Sequence, residues 1–137
     1  MSQLYAVFDT NVLVSALMSS RADSPTVALL DHVLDGRIVL LYNDEIEAEY
    51  EDVLHREKFS FDEERIQSVL AVVRTGLCLG RTPSRVAFTD ADDAVFYEVA
   101  LSKEGAYVVT GNVRHFPKTP IVVTPAEMIR IVEEQGQ

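Results

Sequence analysis

Apolar residues run along this chain in short continuous blocks, separated by stretches with helical spacing. Leu4–Asp9 reads as a strand and Asn11–Ser19 as a helix. Ser24-Pro25 opens a second helix, serine at the N-cap and proline at the first turn, ending near Asp35-Gly36. Arg37–Tyr42 ("RIVLLY") is a continuous apolar strand. Asn43 caps a helix to about Lys58, and Asp62 caps another to about Arg74. Leu77–Leu79 is a short strand, and "TDADD" opens a helix ending near Lys103–Gly105. Ala106–Thr110 and Ile121–Thr124 are strands. Thr124-Pro125 starts the last helix, whose end at Glu133–Gln137 is expected to fray.

Strands that are apolar on both faces and alternate with helices predict an α/β fold, a parallel sheet covered on both sides. Ligands of such sheets bind beyond the carboxyl ends of the strands. Asp9 stands at one of those ends, almost alone in the apolar run "LYAVFDTNVLVSAL". A buried, unpaired carboxylate costs several kcal/mol, so Asp9 needs a partner or a cation.

Composition narrows the choices. At 137 residues the chain is most simply one domain, residues 1–137. No apolar run reaches the roughly 20 residues of a membrane span. No basic region precedes the first apolar run, so no signal peptide is expected. Cys78 is the only cysteine, which excludes an internal disulfide and fits a reducing, cytoplasmic setting. His32, His55 and His115 are scattered without ligand spacing. The net charge of −10 argues against broad electrostatic capture of nucleic acid. It suits a basic partner or carboxylates that hold cations.

Each acid has a structural reading beside the functional one. Asp9 fits an Asx-turn or helix cap, with Thr10 and Asn11 as supports. Asp90, Asp92 and Asp93 fit a helix start, where acids suit the dipole. Asp93 also heads the stripe Asp93, Phe96, Tyr97, Ala100, Leu101 and is favoured over Asp92 as the inward acid. On the helix after Asn43, Glu45, Glu51 and Asp52 point away from the apolar stripe Ile46, Tyr50, Val53, Leu54. Glu47 and Glu49 flank that stripe, and periodicity does not choose between them. Asn112 follows the strand "AYVVT". Oxygen ligands of this kind select Mg²⁺ or Mn²⁺ rather than zinc.

Four segments resemble the motifs of the PIN-domain family, in order and over nearly the whole chain. "VFDTNVLVSAL" resembles the first, with an Asp closing the first strand. "EYEDVLHREKF" resembles the second, which selects Glu49 over Glu47. "DADDAVFYEVAL" resembles the third, with Asp93 as the ligand, and "AYVVTGNVRHFP" the fourth. The nearest branch is similar to VapC toxins of toxin–antitoxin pairs. The resemblance implies a three-layer α/β/α sandwich and a ribonuclease using Mg²⁺ or Mn²⁺. Asp9, Glu49, Asp93 and Asn112 would hold metal, and Thr110 and Asn112 would position water or phosphate. It also implies a homodimer and an antitoxin partner, with the helical pair Asn43–Arg74 forming part of its groove. Asn112 stands where many relatives carry Asp, which predicts one well-held ion and a second recruited partly by substrate phosphate. Bases near Arg56–Lys58, Arg81–Arg85 and Arg114–Lys118 are expected to touch the RNA backbone, Arg114 and His115 among them.

Two rivals stand beside this reading. "FDTNV" is similar to the two-aspartate motif of haloacid-dehalogenase-like phosphatases, but Asn11 occupies the second acid position. The other is a PIN fold of weak or no activity that binds RNA or a protein partner.

Overall fold

A computed structural model describes residues 3–19 and 23–135. The chain alternates strand and helix as the apolar pattern requires. β1 is Leu4–Phe8, α1 Thr10–Met18, α2 Pro25–Leu34, β2 Ile38–Tyr42, α3 Asp44–Leu54 and α4 Glu63–Arg74. β3 is Leu77–Cys78, α5 Ala91–Leu101, β4 Tyr107–Val109, β5 Val122–Val123 and α6 Pro125–Gln135. The strands form one parallel sheet in the order β3-β2-β1-β4-β5. α5 lies against β1, β2 and β4; α2 lies against β2 and packs on α1 and α6. This is the expected three-layer α/β/α sandwich.

The core explains why the strands lack polar alternation. Ala6, Val7, Phe8, Val108 and Val109 are wholly buried between helices. Leu13, Leu29, Ile46, Leu54 and Leu70 of the helices fill the layers around them. Each such side chain contributes about 1.5–3 kcal/mol on burial.

Element ends follow local chemistry. Asp35 ends α2, and Gly36 turns the chain at φ +80°, a conformation costly for other residues. α3 stops at Leu54, short of the expected Lys58, and the chain tightens into a 3₁₀ turn at Glu57–Phe59. His55 ends that helix by placing Nδ1 2.7 Å from the Glu51 carbonyl oxygen. Before β3 a Cβ on Gly76 would stand 1.9 Å from the Leu40 carbonyl oxygen, so only glycine lets the backbones meet. β3 and β5 are shorter than expected, being the edge strands. α6 opens with a reciprocal cap: Thr124 N–H donates to Glu127 Oε1, and Glu127 N–H to Thr124 Oγ1. Of the C-terminal segment expected to fray, residues 136–137 lie outside the described residues.

The topology fixes where a site can form. From β1 the chain moves outward to β2 and β3, then returns to place β4 on the other side of β1. The carboxyl ends of β1 and β4 therefore flank the switch point, where a crevice opens.

Candidate active site

Asp9 follows β1 at that crevice and Thr110 follows β4. Asp9 N–H donates to the Val109 carbonyl at 2.9 Å, which carries the ladder one step past the strand. Its side chain is 8% exposed, and each oxygen accepts one bond: Thr110 Oγ1 donates to Oδ2 at 2.7 Å, and Thr10 N–H donates to Oδ1 at 2.8 Å, which leaves lone pairs on both. Asp9 is thus also the N-cap of α1. The cap reading and the buried-acid reading describe the same residue. Burial raises its pKa, and the bonds from Thr110 and Thr10 and the charge of His115 work against that rise.

Thr110 is completely buried, and its hydroxyl oxygen also accepts from Asn112 N–H at 2.9 Å. The Asn112 side chain lies in the exposed loop after β4 and caps nothing. Asn11 Oδ1 lies 4.0 Å from where a Cβ on Gly111 would stand, so α1 meets this loop. The Thr10 hydroxyl, next to Asp9, is buried without a hydrogen-bond partner.

Asp93 faces the same crevice from the start of α5. Asp90 caps that helix through Asp92 N–H at 2.9 Å, so the Asp93 carboxylate is not spent on capping. Its pKa is pushed up to about 6, first by burial, then by the charges of Asp9 and Asp90; His115 opposes the rise. His115 Nδ1 stands 3.9 Å from Asp93 Oδ2. Helical spacing turned Asp92 toward the polar side, and it is exposed. Its charge nevertheless raises both Asp93 and Glu49.

α3 separates the two glutamates that periodicity left open. Glu47 pairs with Arg74 Nε of α4. Glu49 turns toward the other acids: burial raises its pKa first, then Asp92, with Asp9 adding and Arg56 opposing. Tyr50, next in sequence, is 1% exposed, and its hydroxyl donates a short hydrogen bond to the Phe8 carbonyl. That bond ties the helix carrying Glu49 to the strand end carrying Asp9. Tyr50 read as part of an apolar stripe; the clue was its hydroxyl, which needs a partner once buried.

Arg81 is a correction to the expected backbone-contacting bases. Its Nε donates to Glu98 of α5 at 2.8 Å and its Nη1 to Glu45 of α3 at 2.9 Å. Glu98 also accepts from Ser84 N–H at 3.1 Å. Arg81 therefore straps the connector after β3 to two helices, and its charge is spent there. Arg56 is likewise paired, with Asp52 at 3.2 Å.

Among the described residues no three acids, histidines or cysteines stand in position to share one ion. The donor chemistry still fits a hard divalent cation. Asp9, Asp93 and Glu49 are oxygen donors, and the charge of Asp9 bears on both of the others. Mg²⁺ needs only one or two carboxylates when water and substrate phosphate complete its shell.

An open parallel sheet with an acid at its switch point, joined by acids from two flanking helices, defines an α/β domain with an acidic crevice at the carboxyl ends of its strands. A family model described as a PIN domain matches residues 5–114. The chain belongs to the PIN-domain family. PIN domains are generally nucleases, typically use divalent metal ions, and as nucleases bind RNA. No curated protein and no solved structure matches the chain. No described helix is long and apolar enough to cross a membrane.

Proposed function

We propose that this chain, residues 1–137 acting as one PIN-like domain, is an endoribonuclease that hydrolyses RNA phosphodiester bonds with Mg²⁺ or Mn²⁺. The observation that carries the reading is Asp9: a buried acid at the switch point, braced by Thr110 and within electrostatic reach of Asp93 and Glu49. Asp9, Glu49 and Asp93 would hold the ion, with Asn112 adding a neutral oxygen from the loop after β4. When bound, the ion supplies Lewis acidity toward the phosphodiester and a more acidic water as nucleophile.

The chain's own groups do the rest. Thr110 and Thr10 fix both oxygens of Asp9, so its lone pairs keep one direction as substrate arrives. Without the ion the Asp93 carboxyl is pushed up to about 6, first by burial and then by the neighbouring acids, so a bound cation would relieve that repulsion and hold the carboxylate charged. Asn112, exposed beside them, can bond a phosphate oxygen or a water. The test is cleavage of end-labelled RNAs with Mn²⁺ against the same reaction with chelator; cutting that survives chelation would sink the metal-dependent reading.

Toxin identity is the finer part of the same proposal. The net charge of −10 suits a basic antitoxin. A groove of about 310 Å³ between α3 and α4, floored by Leu54, Phe61 and Ile66, suits a segment of that partner. Met18 and Leu34 are 66% and 67% exposed, as apolar residues of a homodimer contact would be in one free copy. Light scattering that finds only monomer at tens of micromolar (roughly) would remove the dimer. The exposed, free Cys78 fits the reducing, cytoplasmic setting. A second reading, a PIN fold of weak or no activity that binds RNA or a protein partner, is favoured by the lack of three pre-positioned donors among the described residues.

A further inference from the structure

The cations of this acidic chain are mostly engaged by its own groups. Of its 12 lysines and arginines, Arg21 lies outside the described residues. Arg56, Arg74 and Arg81 hold carboxylates, and Arg65 donates to the Leu17 carbonyl at 2.7 Å. Lys58 and Lys103 lie over the rings of Phe59 and Tyr5. Arg37 reaches His32, and Arg130 bears on Glu127. Among the described residues the side chains of Arg85, Arg114 and Lys118 have no such partner, and all are exposed.

The two segments that carry these charges meet. Phe88 meets Phe116 edge-on, ring centroids 6.0 Å apart at 82°, which seats the connector before α5 on the loop after β4. Arg85 precedes Phe88 by three residues, and Arg114 and Lys118 lie two residues either side of Phe116. The same two segments border the acids: Asp90 caps α5, and His115 is 3.9 Å from Asp93. In a chain with 22 acids, cations left unpaired beside the acid cluster are placed for a polyanion from outside.

We propose that the face formed by Arg85, Arg114 and Lys118 binds the phosphodiester backbone of a polynucleotide, on the α5 side of the crevice. The proposal rests on the nuclease reading for its substrate. It accounts for how a chain of net charge −10 meets RNA: through one local patch, and with a correspondingly shallow salt dependence.

The test uses full-length Asp9→Asn, to prevent cutting, and a fluorescein-labelled oligouridylate followed by anisotropy across a salt series. Adding Arg85→Glu, Arg114→Glu and Lys118→Glu together should weaken binding about tenfold or more and make the log–log salt slope shallower by about 2. The matching oligodeoxyuridylate should weaken in parallel, because the patch meets phosphate rather than base. Arg37→Glu, just before β2 at the amino ends of the strands and so opposite the crevice, should leave affinity within about twofold. Unchanged binding by the triple variant, an equal loss in Arg37→Glu, or no binding by the Asp9→Asn parent at low salt each overturns the proposal. RNA cutting by the unaltered chain is scored separately. Cutting together with an unaffected triple variant removes the patch and keeps the nuclease. Weakened binding without any cutting keeps the patch and removes the nuclease.

Discussion

Thr110 Oγ1 donates to Asp9 Oδ2 at 2.7 Å across a sequence separation of 101 residues. A hydroxyl has one proton to give, and here it goes to the acid. The oxygen's remaining capacity takes Asn112 N–H at 2.9 Å. One buried side chain thus links the end of β1, the end of β4 and the loop that carries Asn112.

Thr110→Val removes both bonds while keeping the shape. It should cost about 1–3 kcal/mol in urea unfolding, because Asp9 is left buried without its donor. RNA cutting should fall at least tenfold, and Thr110→Ser should restore most of both. A valine variant as stable as the parent would show that the bond does not matter to the fold.

Tyr50→Phe deletes only the hydroxyl that holds the Phe8 carbonyl. The expected cost is about 1–2 kcal/mol, read as a lower urea midpoint at unchanged m-value. An unaltered midpoint would contradict the strut between α3 and β1.

Glu49→Gln and Glu47→Gln should behave oppositely. Glu49 lies in the field of Asp92 and Asp9, so its neutralisation should reduce metal-dependent cutting by about a hundredfold or more. Glu47 holds Arg74 near the surface, and its loss should cost under about 1 kcal/mol with cutting retained. Equal activity of the two variants would contradict the assignment.

Asp93 ties stability to pH. Its pKa of about 6 in the folded protein lies above the ordinary 3.8, so the folded state holds that proton more tightly than the unfolded state. Stability from this group is therefore lost as pH rises from about 4 to about 6. In chelator at about pH 7, Asp93→Asn should be more stable by about 1 kcal/mol, a figure reduced for its partial exposure. The gap should close below about pH 4 and narrow when Mn²⁺ is added at pH 7. A melting temperature for Asp93→Asn below that of the parent at about pH 7 would reverse the sign and refute it.

Much of this was legible because it depends on the chain's local pattern. Continuous apolar runs such as "RIVLLY" imply a doubly covered parallel sheet, and the sheet order bears that out. A lone acid ending the first run implies a special environment, and Asp9 is buried where two strands part. What remained hidden depends on partners distant in sequence. Glu47 and Glu49 sit equally well beside the stripe of α3 until Arg74, 27 residues on, takes one of them. Arg81 reads as a free base until Glu45 and Glu98 close on it from separate helices. Asp92 reads as solvent-facing, yet charge acts through space, and its neighbours across the crevice respond to it.

If Asp9 serves metal-dependent RNA cleavage as proposed, Asp9→Asn must separate from the parent in both cutting and ion binding. Both proteins, purified identically, are given the same end-labelled RNAs with Mn²⁺, and Mn²⁺ binding is followed in parallel by calorimetry. The expected result is Mn²⁺-dependent cutting by the parent, at least about a hundredfold less by Asp9→Asn, and weaker Mn²⁺ binding in the variant. Equal cutting by the two proteins, or a parent that neither binds Mn²⁺ nor cuts, would contradict it.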